Sequence, residues 1–305
     1  MNSYLYAMSR ILTLGLTPSW QHVLEFVHLK CGEVNRAIAS HWFSAGKSVN
    51  VALAIHTLGG NVHTILPGGG QNRLKMEEDF QNLQLSHQWL ETQSEIRVCT
   101  TLIDHATQTI TELVENGTPL TDSEIAAWLA LCEETFPRFD VFVLSGSLPG
   151  GVEESLYEKM MAKIPAGKPA ILDFRGKGLL DCLKYRPFLV KPNREELEMT
   201  FQTKLTTEET LLDACHDLNR QGAEWVVLSD GPGKLYAVSE KETHCFRPPQ
   251  VTPPEGKTLC PIGCGDALTG GIALALAEGK SLPAAVEFGM EIAVRNLFQV
   301  TSCRF

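Results

Sequence analysis

The residues best suited to do chemistry are Gly263-Cys264-Gly265-Asp266, just ahead of the apolar stretch 272–277. Glycines immediately before a helix expose consecutive backbone N–H groups at its positive end, a geometry that holds a phosphoryl group. A carboxylate at the mouth of such an anion hole can take the proton of an attacking hydroxyl, so the quartet points to phosphoryl transfer with Asp266 as base. The competing reading is structural, with Asp266 as the N-cap of the helix and the glycines supplying a turn.

Other constellations fit the same chemistry. Lys191-Pro192-Asn193-Arg194-Glu195-Glu196 follows an apolar run, so its polar groups emerge at the carboxyl end of a strand. Asn193 and Glu196, three apart, share one side of a first helical turn and suit Mg²⁺ held through its waters. A proline turn and a solvated acidic helix start account for the same residues. The glycine-bearing turns Ser145-Gly146-Ser147-Leu148-Pro149-Gly150-Gly151 and Ser229-Asp230-Gly231-Pro232-Gly233 are either plain loops or walls of sugar and nucleotide pockets.

Two familiar fingerprints fail. Gly46-Lys47-Ser48 ends like a P-loop, but His41 stands where its first glycine belongs; Lys47 and Asn50, opening a helix with Val49, Leu53, Ile55 and Leu58, better suit a substrate site. Gly68-Gly69-Gly70 fails the dinucleotide pattern because Arg73 replaces its last glycine.

These segments need elements to position them. Apolar runs at 141–144, 170–172, 188–190 and 225–228 alternate with helical patterns such as Leu211, Leu212, Cys215 and Leu218. Thr206-x-x-Glu209 and Thr121-x-x-Glu124 read as capping boxes, the second opening a helix with Ile125, Trp128, Leu129 and Cys132 inside. Repeated strand-helix-strand units imply a parallel sheet covered on both faces, with ligands at the carboxyl ends of its strands. Roughly 21–45 and 96–118 break this rhythm with β-branched alternation and are expected to form one discontinuous lid. The core is then expected over 1–20, 46–95 and 119–305.

Bulk composition sets limits. The 305 residues are 44% hydrophobic and 20% charged, an ordinary globular balance. A formal net charge of -10 without a basic stripe disfavours nucleic acid. No run of about 18 apolar residues predicts a membrane span, and no leader pattern is seen, so a cytoplasmic location is expected. Nine cysteines without a Cys-x-x-Cys pair read as free thiols.

Taken in this order, the segments resemble the PfkB/ribokinase superfamily of sugar kinases, and within it the branch of 1-phosphofructokinase and tagatose-6-phosphate kinase. The likeness spans almost the whole chain. It implies a ribokinase-like α/β fold, a doubly wound, mainly parallel sheet with a small β-sheet lid. It implies that Gly263, Cys264 and Gly265 form the anion hole beside catalytic Asp266. Lys191, Asn193, Glu196, Ser229, Gly231, Gly233 and Asn296 would serve the nucleotide, with Mg²⁺ at Asn193 and Glu196. Gln21, Gly46, Lys47, Asn50, Arg97 and Ser145 would serve the sugar, Lys47 and Arg97 favouring a phosphorylated one.

Departures fall at the sugar end. The family's Asn-Pro-Ala-Leu-Asp reads Thr17-Pro18-Ser19-Trp20-Gln21 here, Ser48 replaces a glycine, Thr101 replaces a lid lysine, and Cys264 replaces Ala or Ser. The expected activity is ATP-dependent phosphorylation of a ketohexose phosphate such as fructose 1-phosphate or tagatose 6-phosphate. A kinase of a free sugar or nucleoside, and a catalytically weak sugar-phosphate or nucleotide sensor, are the alternatives. An exposed lid edge suggests a homodimer.

Overall fold

Runs of apolar and β-branched residues too short for helices form the centre of the molecule. A computed structural model describes residues 9–117, 119–231, 233–255 and 257–305. Residues 1–8 of the expected core, Thr118 of the expected lid and Pro232 of the glycine-bearing turn lie outside the described residues. The strands are β1 (Ile11–Leu14), β2 (Ser19–Phe26), β3 (Ala39–Ala45), β4 (Val62–Gly69), β5 (His87–Glu95), β6 (Arg97–Asp104), β7 (Thr109–Val114), β8 (Val141–Ser145), β9 (Ala170–Asp173), β10 (Leu189–Val190), β11 (Trp225–Ser229), β12 (Leu235–Val238) and β13 (Thr243–Phe246). The helices are α1 (Lys47–Thr57), α2 (Gly70–Leu83), α3 (Asp122–Thr135), α4 (Ser155–Met161), α5 (Lys177–Cys182), α6 (Arg194–Phe201), α7 (Glu208–Gln221), α8 (Cys264–Ala277) and α9 (Leu282–Leu297).

The large sheet has the order β13-β12-β11-β10-β9-β8-β1-β4-β5. It is parallel from β11 to β5, with β12 and β13 antiparallel at one edge. Central strands β1, β8, β9 and β10 are buried throughout, which explains their unbroken apolar runs. Alternate residues still serve opposite faces. Leu12, Leu14, Phe142 and Leu144 join the core with Trp128 of α3 and Leu218 of α7, while Ile11, Val141 and Val143 join Leu53 of α1 and Ile272 of α8. The result is the expected α/β architecture, a mainly parallel sheet between two helical layers.

A second sheet, ordered β3-β2-β6-β7, stands beside it. Its cluster of Val23, Phe43, Ala45 and Ile103 packs against Ile110 and Val300. Arg304 fastens this sheet near the C-terminus, bonding Asp79 at 2.6 Å and lying over the Phe43 ring. Among the described residues no helix is long and apolar enough to cross a membrane.

Local signals resolve at single-residue level. Thr121 and Glu124 make the expected capping box of α3, with Trp128 and Cys132 buried. The expected Thr206/Glu209 box is displaced by one: Thr207 caps α7 and its hydroxyl accepts from the Thr210 amide. That register puts both Glu208 and Glu209 in the first turn, where their charge favours the helix dipole. The strand expected from 188 begins at Leu189, flanked by Pro187 and Pro192, which cannot donate to a ladder.

Gly15 closes the carboxyl end of β1. A Cβ there would lie 2.4 Å from the Ser145 carbonyl oxygen and 2.5 Å from Ser48 Oγ. Gly15→Ala is expected to lower unfolding free energy by at least about 2 kcal/mol, an overpacking cost. Urea denaturation checks this, and a midpoint equal to wild type contradicts it.

Candidate active site

The site assembles where the carboxyl ends of β8, β9 and β10 meet the first turns of α1, α6 and α8. Gly263 is the N-cap of α8 in the left-handed region at φ 78, so a glycine suits the position. Asp266 lies three residues further on, inside the first turn. Its side chain makes no cap, which removes the N-cap reading. Instead its Oδ2 accepts from Asn50 Nδ2 of α1 at 2.7 Å, with the carboxyl only 6% exposed.

Gly46 caps α1 at φ 109 and passes close to Thr17 and Pro18. Lys47 follows and reaches inward, its Nζ 2.8 Å from Asp173 Oδ1 and 3.4 Å from Glu196 Oε1. Asp173, fully buried at the end of β9, also accepts from Thr269 Oγ1 at 3.1 Å and Ser145 Oγ at 3.4 Å. Lys191 Nζ stands 3.5 Å from the same Oδ1. A Cβ on Gly265 would be 3.8 Å from that ammonium, so Lys191 lies against the first turn of α8.

Asn193 and Glu196 form a reciprocal capping box on α6: Asn193 Oδ1 accepts from the Glu196 amide at 2.8 Å, and Glu196 Oε2 from the Asn193 amide at 3.0 Å. The solvated helix start is thus only half the description, because Oε1 of Glu196 turns to Lys47. Three carboxylates face two ammoniums in this cluster. Burial pushes the Asp266 carboxyl up to about 6, with Asp173 adding to the rise and Lys47, Asn50 and Lys191 opposing it. For Lys47, burial works against the charge, but Asp173, Asp266 and Glu196 outweigh it and raise its pKa. Burial also disfavours ionised Asp173, and Lys191 and Lys47 overcome it, holding that carboxyl low.

A cleft of about 850 Å³ opens from Lys47, Asp173 and Glu196 toward Arg175 and Lys177. Among the described residues no cluster of His, Cys, Asp and Glu could grip a metal ion directly. The two segments expected to serve the nucleotide meet each other through backbone. Ser229 bridges Asn193 across parallel backbone, and Asp230 takes Arg194 Nε at 2.8 Å. Gly231 adopts φ 56 in the turn, and the Gly233 amide donates to the Asp230 carbonyl at 3.0 Å.

Other expected site residues hydrogen-bond elsewhere. Gln21 Nε2 donates to Thr101 Oγ1 at 2.8 Å inside the small sheet. Arg97 donates to the carbonyls of Thr17 at 3.1 Å and Glu115 at 3.0 Å. Asn296 is fully buried behind the Gly263 loop, donating to the Ile262 carbonyl at 2.8 Å and accepting from the Cys303 amide at 2.7 Å. Asp173 and Thr269 were missed from sequence. The available signals were an Asp ending the apolar run 170–172 and a Thr three residues after Asp266.

A family model described as pfkB family carbohydrate kinase matches residues 9–301. The chain belongs to the pfkB family of carbohydrate kinases. The kinase is 28% identical over 273 residues to 1-phosphofructokinase of Escherichia coli strain K12, covering 89% of this chain and 86% of that one. Phosphofructokinase-2 from Escherichia coli in complex with potassium superposes with a TM-score of 0.86 at 26% identity, covering 97% of this chain and 94% of that one. The same enzyme in complex with fructose-6-phosphate gives 0.82 at 28% identity, covering 93% and 92%.

The raised carboxyl has a cost in stability with a definite sign. A rise from the ordinary 3.8 to about 6 corresponds to on the order of 3 kcal/mol. The favourable protonated form is fully present below 3.8 and is lost as pH climbs through about 6. Asp266→Asn is therefore expected to melt higher than wild type at pH 8, with the gap narrowing as pH falls through about 6 and closed below about 4. Calorimetry at both pH values checks this; a variant that melts lower at pH 8 contradicts it.

Proposed function

We propose that this kinase transfers the γ-phosphoryl of ATP to a hydroxyl of a ketohexose phosphate. The observation that carries the reading is Asp266, a buried carboxylate fixed at the start of α8 with Lys47 and Lys191 around it. The acceptor oxygen attacks the γ-phosphorus, the bond to the bridging oxygen of ADP breaks, and the hydroxyl proton passes to Asp266. The Gly265 amide in the first turn of α8, with the Lys191 ammonium, stabilises charge on the moving group, whereas the amide of Cys264, expected to share that role, already donates to the Pro261 carbonyl at 3.1 Å.

Mg²⁺ would travel with ATP and neutralise phosphate charge. The excess of one carboxylate over the ammoniums, with hard oxygen donors at the head of a roomy cleft, fits a hydrated divalent ion. Glu196 would hold it through water. Asn193, whose Oδ1 already serves the helix cap, would orient Glu196.

Two relatives support a phosphorylated sugar: one is named 1-phosphofructokinase, and the other was solved with fructose-6-phosphate. Arg97 is the cation we assign to the sugar's phosphate, since its buried Nε lacks a partner while two carbonyls fix its plane. Lys47, enclosed by carboxylates, belongs to the transfer end. Gln21 and Thr101 would meet sugar hydroxyls as a neutral pair, with 21–45 and 96–118 closing as a lid that excludes water. Trp42 and Leu113, 49% and 54% exposed in one row of the small sheet with His22 and Thr100, suit a second copy. A cytoplasmic place belongs to the same proposal.

ADP release should appear with fructose 1-phosphate, tagatose 6-phosphate or fructose 6-phosphate, and not with fructose or ribose. The reverse preference would assign the enzyme to free sugars. Asp266→Asn is expected to lower kcat by roughly 10²-fold or more with ATP affinity little changed. Arg97→Ala should raise the sugar-phosphate KM by about tenfold or more and leave that of ATP alone; an unchanged KM removes Arg97 from the phosphate site. Sedimentation velocity that shows a monomer at micromolar concentration removes the dimer.

A further inference from the structure

Helices α1 and α8 approach closely at one point because a side chain is missing. A Cβ on Gly270 would lie 2.7 Å from Ala54 Cβ and 3.1 Å from the Val51 carbonyl oxygen. Ala54 is four residues after Asn50 on α1, and Gly270 four after Asp266 on α8, so each pair shares one helix face a turn apart. The Gly270–Ala54 contact and the 2.7 Å Asn50–Asp266 bond therefore occupy neighbouring turns of the same crossing.

Among the described residues Asn50 is the one hydrogen-bond donor to the Asp266 carboxylate, and it bonds Oδ2 alone. Asn50 Oδ1 is buried without a partner. We propose that Asn50 is a positioning residue for the base: its amide pins Oδ2 of Asp266 and leaves Oδ1 to receive the proton, at a spacing set by Gly270 against Ala54. This rests on the reading of Asp266 as base. The pinned carboxylate cannot rotate both oxygens away from the substrate, so the reacting oxygen is in place before the sugar arrives.

The other titratable groups that interact with this carboxylate are Lys47 of α1, Asp173 of β9, Lys191 after β10, and the thiols of Cys264 in α8 and Cys303. All of these remain when Asn50 alone is changed. An amide donor favours the ionised carboxyl, so its loss raises the pH at which Asp266 titrates. Looser packing without loss of the bond would lower Tm and leave that titration where it was.

The test is a ¹³C-carboxyl titration of Asp266, read with steady-state kinetics on the full chain. Asn50→Ala and Asn50→Asp are expected to move the Asp266 titration upward and lower kcat by roughly tenfold or more. Gly270→Ala, which alters no polar group, should move both readouts the same way. Ala54→Gly added to Gly270→Ala removes the atom 2.7 Å away and should recover part of the loss. An unmoved titration in Asn50→Ala overturns the inference, as does a rise in sugar KM alone. So does Gly270→Ala lowering Tm with Asp266 unaffected; should that variant not fold, the two Asn50 variants decide. Wild-type kcat in Asp266→Asn would instead remove the base itself, whereas an inactive Asp266→Asn with an unmoved Asn50→Ala titration defeats only the positioning.

Discussion

A carboxylate taken out of water must be compensated or it will hold its proton. Asp266 sits between these outcomes, and the rest of the site follows from that balance. Full compensation would give an unreactive ion pair of the kind Asp173 makes with Lys47 and Lys191. No compensation would leave a neutral acid unable to take a proton at pH 7. One amide donor from Asn50 and two ammoniums already shared with other carboxylates leave Asp266 ionisable near neutrality. Asp173 is therefore part of the same balance: it holds both lysines by direct contact and keeps them from pairing fully with Asp266.

The fold supplies this balance through close approaches. Central parallel strands end their ladders at one edge, and Ser145, Asp173 and Lys191 emerge from adjacent strands there. Absent side chains at Gly15 and Gly270 let β1 lie against Ser145 and Ser48 at that edge and let α8 lie against α1. The capping box of α6 does double service, since Glu196 closes a helix with one oxygen and meets Lys47 with the other. Stability at the helix start and geometry at the site thus share one side chain.

Much of this was legible in the sequence because it lies in contiguous patterns. Apolar runs of strand length gave the central sheet, and Thr121 with Glu124 gave a helix start, since both depend on neighbours in the chain. The glycines before Asp266 marked the start of α8 for the same reason. Asp173 and Thr269 were not legible, because an Asp after a strand has no local signature and its lysine partners lie 126 and 18 residues away in the chain. The one-residue displacement of the α7 cap reflects two adjacent threonines of equal capping ability, decided by which register places Leu211 and Cys215 inside. Asn296 shows the opposite limit: a polar residue near a ligand site in sequence logic is spent on backbone atoms in space. Gln21 and Thr101, singled out separately as departures, prove to be bonded to each other.

The pH dependence of kcat/KM for a sugar phosphate tests the central claim most directly, because it reports the ionisation of the free enzyme's base. The account predicts a fall below about pH 6 as Asp266 takes up one proton, with a plateau above it. A profile flat from pH 8 down to about pH 5 would contradict it, since a carboxyl poised by burial near neutrality cannot serve as base unchanged across that range.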